Sequence, residues 1–126
     1  MIKLYNTNLE TNKLESVDTY TRGTWIHMVD PSEEEIKEVC QNVNIKEDFI
    51  RYALDNEEKA RIDVEDEDDT ILFIIDIPVT EKSQSGGYMY ATMPIGMIVV
   101  RDDFFITVTL RAVSYTHLRA HETCAD

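Results

Sequence analysis

The sequence predicts an α+β domain: strands first, two helices next, and an antiparallel meander last. Three observations point there. Short runs rich in β-branched and aromatic residues open the chain. After residue 30, two segments carry apolar residues at helical spacing. From residue 61 onward, apolar runs of strand length are separated by acidic or Gly-containing turns. Strands and helices are thus segregated rather than regularly alternating, the pattern of α+β folds.

Residues 2–5 and 14–17 read as short strands joined by an Asn/Thr-rich turn. Arg22-Gly23 punctuates, and "TWIHMV" supplies a third strand with Trp25, Ile26, Met28 and Val29. "DPSEEEIKEVCQNV" announces a helix. Asp30 is the expected N-cap, Pro31 suits the first helical position, and Glu33 completes a capping box. Glu33, Glu34 and Glu35 crowd the first turn, where the helix dipole favours acids. Ile36, Val39, Cys40 and Val43 form one apolar stripe, so Cys40 reads as a small hydrophobe. A second helix fits "KEDFIRYALDNEE", with Phe49, Ile50, Ala53 and Leu54 on one face and Lys46, Glu47, Arg51 and Asp55 pointing away. In "ARIDVEDEDDTILFIIDIPV", Ile62 and Val64 alternate with Asp63 and Glu65, and residues 66–69 reverse the chain. Residues 71–77 are nearly continuously apolar, as in a strand covered on both faces, and Pro78 is expected to close it. "TEKSQSGG" reads as a hairpin tip. "YMYATMPIGMIVV" and "FFITVTL" follow as strands around an Arg101-Asp102-Asp103 turn.

With 126 residues, 43% of them apolar, the chain is long enough for one core. Its formal net charge is -13. Such a surface repels nucleic acid and anionic lipid, and attracts divalent cations or basic partners. Two cysteines do not make a disulfide framework and fit a reducing compartment. The first residues lack a signal-peptide pattern, and no apolar run approaches the ~20 residues of a membrane helix.

The whole of "TWIHMVDPSEEEIKEVCQNVNIKEDFIRYALDNEEKARIDVEDEDDTILFIIDIPV", followed by "TMPIGMIVVRDDFFITVTL", resembles the amino-terminal cytoplasmic domain of CorA-type magnesium transporters. The resemblance covers about residues 1–111 and keeps its order throughout. It implies a mixed, largely antiparallel sheet flanked by helices. It also implies a homopentameric divalent-cation channel, on the cytoplasmic side of the cell membrane, whose membrane contact is made only through later C-terminal helices. The family's Gly-Met-Asn selectivity motif is not here: Gly96-Met97 is followed by Ile98 within a strand. In the family, Mg2+ is both the transported ion and a regulator. It bridges carboxylates on the soluble domain to a neighbouring subunit and holds the pore closed. A register taken from Ile45 puts Tyr52 where some members carry the sensing Asp. Asp48, Asp55, Glu57 and Glu58, within a turn either way, are then the candidate metal ligands. The plainer reading of those four is a solvated helix face and loop.

The chain ends "YTHLRAHETCAD", and His117, His121, Glu122 and Cys124 resemble a metal-ligand set. They share one short segment with no apolar support to orient them. "AVSYTHLRAHET" looks instead like an in-frame translation of a common sequencing adapter, so the expected domain is 1–111 and the expected extraneous tail 112–126. Residues 66–69 lack the Gly and distal Glu of an EF-hand loop, and Gly86-Gly87 is not followed by the Lys of a phosphate cradle. No nucleophile, base and orienting group appear together, so an enzyme is not expected. The resulting expectation is a sensing and assembly domain of a CorA-like magnesium transporter. Its rivals are a free-standing acidic module that docks basic partners and a zinc-transporting relative. A final expectation is that the strand at 104–110 lacks a neighbour and that its open edge drives self-association.

Overall fold

The computed structural model describes residues 1–55 and 59–112. In chain order they form β1 (Ile2–Asn8), β2 (Lys13–Val17), β3 (Thr24–Val29), α1 (Glu33–Val43), α2 (Glu47–Ala53), β4 (Arg61–Glu65), β5 (Thr70–Lys82), β6 (Tyr88–Val100) and β7 (Phe104–Thr109). The strands make one seven-stranded sheet in the order β2-β1-β3-β7-β6-β5-β4. Every neighbouring pair is antiparallel except β3 and β7, which run parallel. The sheet is therefore mixed and largely antiparallel, and its last four strands are the expected meander.

One consequence overturns the expectation for β7. It is a central strand, hydrogen-bonded to β3 on one side and β6 on the other. The described edges are β2 and β4. Nothing local in "FFITVT" reveals the parallel partner: His27 meets Thr107 across 80 residues. His27 likewise sits on an interior strand, between β1 and β7.

The start of α1 differs from expectation by two residues. Ser32 is the N-cap: its hydroxyl accepts from the Glu35 amide, and the Glu35 carboxylate accepts from the Ser32 amide. Asp30 cannot cap because its φ of 43° is left-handed, whereas an N-cap needs an extended backbone like that of Ser32. Both Asp30…Glu33 and Ser32…Glu35 fit the capping-box spacing; backbone conformation separates them. At the other end of α1, Arg101 from the β6–β7 turn donates to the Val43 carbonyl at 2.7 Å. That satisfies one of the acceptors a helix leaves open at its C-terminus. Arg51 of α2 binds Glu33 of α1 and Glu47 of its own helix, tying the two helices together.

Both described helices cover the same face of the sheet. Ile36, Val39, Cys40 and Val43 from α1 and Phe49, Ile50 and Ala53 from α2 join one buried cluster. The sheet contributes Ile26, Met28, Leu72, Ile74, Ile98, Val100, Ile106 and Val108, which register side by side across the strands. Fully burying each such aliphatic side chain is worth ~1.5–3 kcal/mol, so this layer holds the domain together. The helix-side layer is closest at Gly96. A Cβ there would collide with the Cβ of Ala53, so only glycine lets α2 lie directly on β6.

The opposite face carries no described layer. Its central row runs Tyr5, Trp25, Phe105, Val99, Ile71, Val64 across six strands. The next row runs Lys3, His27, Thr107, Met97, Phe73, Ile62. The apolar run of β5 is therefore covered on one face only among the described residues: Leu72 and Ile74 are buried, Ile71 and Phe73 half-buried, and Ile75 exposed. Pro78 does not close β5; it pairs with Thr92 and the strand continues to Lys82. Beyond Ile74, β5 has no β4 partner, and an edge stretch tolerates a residue without an N–H.

Candidate metal-binding site

The four expected ligands separate. Asp48 lies exposed in the first turn of α2 and lines a cleft of ≈ 350 Å³ between that helix and β4. Asp55 is exposed just past the helix and does not line the cleft. Its backbone N–H closes the helix end on the Tyr52 carbonyl at 3.3 Å. Glu57 and Glu58 lie outside the described residues.

The cleft brings in two acids that sequence reasoning passed over, Asp63 and Glu65. They reach it because the alternation of β4 is inverted with respect to the helices. Asp63 stands opposite Leu72 and Glu65 opposite Thr70, on the helix-covered face. Ile62 and Val64 stand opposite Phe73 and Ile71, on the uncovered one. The signal was present as "IDVE"; the side to which each half points depends on pairing with β5, which the sequence does not display.

Cations already touch this site. Lys46 lines the cleft and lies 3.8 Å from Asp68 Oδ2. That oxygen is sealed from solvent and accepts no hydrogen bond, an unmet acceptor beside the cleft. Arg61 reaches Asp63 at 3.0 Å and stacks 5.1 Å above the Tyr52 ring, which also borders the cleft. Tyr52, at the position implied for the sensor, thus offers an aromatic face to a cation of its own chain. Among the described residues, no three Asp, Glu, His or Cys side chains come close enough to hold a metal by themselves. The cleft supplies hard oxygen donors in the number Mg2+ usually takes directly, one or two, with water filling the remaining positions.

A second polar cluster interrupts the uncovered face. The Trp25 indole N–H donates to Thr107 Oγ1 at 2.9 Å, and His27 Nδ1 lies 2.8 Å from the same oxygen. Burial and then the charge of Lys3 lower the His27 pKa, favouring the neutral ring. Thr107 can therefore accept from Trp25 and donate to His27 Nδ1. Trp25 is half-buried and stacks against Tyr5 with ring centres 5.1 Å apart. Cys40 is buried on α1, its thiol pushed up to about 11 chiefly by desolvation, as suits a packing residue. The tail ligands His117, His121, Glu122 and Cys124 lie outside the described residues.

A family model described as CorA-like Mg2+ transporter protein matches residues 21–125. The chain belongs to that family. No curated protein matches it. Among solved structures, the soluble domain of CorA from Methanocaldococcus jannaschii is 22% identical, with a TM-score of 0.71. The complete CorA magnesium transporter from the same organism is 18% identical, with a TM-score of 0.66. Each match covers 99% of this chain. The chain spans 46% of the length of the first and 37% of the second. The CorA-like fold thus extends over the described sheet and both helices. The family is one of transporters, and no described helix is long and apolar enough to cross a membrane.

Proposed function

We propose that the chain is the cytoplasmic Mg2+-sensing and assembly lobe of a CorA-like magnesium transporter. The observation that carries this reading is the α2–β4 cleft, lined by Asp48 of the expected ligand set and by Asp63 and Glu65 without all three closing on one point. Membership of the CorA-like family supplies the ion. Carboxylate oxygens suit Mg2+ better than zinc, which favours sulfur and imidazole. Fewer than three acids converge, so the ion keeps waters and takes its remaining oxygen ligands from a neighbouring subunit. Bound Mg2+ offsets repulsion between acidic lobes of a pentamer; loss of the ion lets the lobes separate. The lobe then acts through a ligand-dependent shift between two packings. Asp55, Glu57 and Glu58 remain the candidates for the subunit-facing side of the site.

The test is a titration of the 126-residue chain with millimolar MgCl2, against NaCl of equal ionic strength. Association is followed by sedimentation and exposure by limited proteolysis. Mg2+ alone should raise the mass and slow cleavage near α2, and the double variant Asp48→Asn/Asp63→Asn should abolish both effects. Mass and cleavage indifferent to Mg2+ would leave a free-standing acidic module as the better description.

A further inference from the structure

Given Mg2+ binding at the α2–β4 cleft, on which this rests, we propose that Lys46 is a built-in counter-ion of that cleft. Its ammonium, strapped to Asp68, sets the Mg2+ concentration at which the cleft responds. Lys46 breaks a local rule. It is the N-cap of α2, yet its side chain makes no capping hydrogen bond. That position favours Ser, Thr, Asp or Asn, whose oxygens meet the open N–H groups of the first turn. A cation at a helix start is also opposed by the helix dipole. A residue that weakens its own helix in this way is expected to act elsewhere.

The amine shows where. It lines the cleft and ends 3.8 Å from Asp68 Oδ2 in the β4–β5 turn. That oxygen is sealed from solvent and accepts no hydrogen bond, so the Lys46 ammonium supplies the positive charge beside it. The anchor is firmly placed. The Asp68 carbonyl accepts from the buried Thr70 hydroxyl at 2.9 Å, and the next carbonyl, that of Asp69, accepts from the Arg101 N–H at 2.8 Å. The strap thus ties the start of α2 to a fixed turn beside the cleft. Asp48, Asp63 and Glu65 line the same space, so Lys46 offsets part of the negative charge a divalent cation would use. A positive charge already present in a cleft of ≈ 350 Å³ opposes the arrival of another. The Lys46 side chain is 58% exposed, which leaves it free to swing into water when the cleft fills. A partly exposed ion pair biases an equilibrium by about two- to fivefold. The strap therefore tunes a threshold and does not block the site.

The experiment crosses Lys46→Gln with Asp68→Asn in the 126-residue chain, with circular dichroism confirming that each variant is folded. In chelator, thermal melts should show coupling: the double variant loses less melting temperature than the two single losses added. In MgCl2, against NaCl of equal ionic strength, the midpoint of protection from limited proteolysis should fall about two- to fivefold in Lys46→Gln. The same substitution should move the midpoint less in the Asp68→Asn background, where the strap is already cut. Lys37→Gln, at an exposed position of α1, changes net charge equally and should leave the midpoint in place. Additive melts in chelator would overturn the strap whatever Mg2+ does. A wild-type response with an unmoved midpoint in Lys46→Gln, or an equal shift in both Asp68 backgrounds, would overturn the threshold role and leave the Mg2+ reading standing. Coupled melts in proteins that are all indifferent to Mg2+ would instead remove the Mg2+ reading, and the threshold role with it.

Discussion

Gly96 shows how much one missing methyl can decide. It sits on β6 under α2, where a side chain would occupy the place of the Ala53 Cβ. Gly96→Ala should destabilise the domain by about 1–3 kcal/mol, the range for overpacking a close core contact. Because the two positions share one space, the double variant Gly96→Ala/Ala53→Gly should lose less than the sum of the single changes. Thermal melts of the four proteins test this; strict additivity would show that the contact is not what constrains residue 96. "PIGM" gave no hint of the role, since a strand glycine is equally a mark of a bulge or an exposed turn. The same limit applies to Asp63 and Glu65, whose alternation was plain but whose direction was not.

At the scale of elements, periodicity carried far. The stripe Ile36, Val39, Cys40, Val43 is buried as its spacing requires, and the Arg101-Asp102-Asp103 turn joins β6 to β7. What escaped was set by partners distant in the chain: the central place of β7, the passage of Pro78 through β5, and the exposure of one side of residues 71–77. The start of α1 escaped for a local reason, the left-handed backbone of Asp30. That start has a pH signature. The Ser32 amide, followed by the chain's amino terminus, holds the Glu35 carboxyl below its ordinary value of 4.5. A depressed folded pKa means that the stabilisation is present above 4.5 and is lost as pH falls below it through the folded value. Melting temperature should therefore drop on acidification below that point, and Glu35→Gln should flatten the drop. An unchanged acid limb in the variant would remove Glu35 from the account.

In the described residues the molecule is an acidic α+β layer with its helices and its candidate cation cleft on one side and a largely apolar face on the other. Overall class, the helix stripes, family resemblance and charge were all legible from residue types and order, because they depend on short-range pattern and composition. The two-sidedness was not, because it arises from register across the seven strands. The proposed cation cleft lies on the helix side of that division. At net -13, any salt should stabilise the molecule somewhat by screening, so the central claim concerns where Mg2+ acts and not whether ionic strength matters. Amide hydrogen exchange, compared in MgCl2 and in NaCl of equal ionic strength, tests that claim most directly. The account predicts Mg2+-specific protection concentrated in α2 and β4, erased by Asp48→Asn/Asp63→Asn while β1 and β2 are unaffected. Protection that is uniform, absent, or unchanged in the double variant would contradict it.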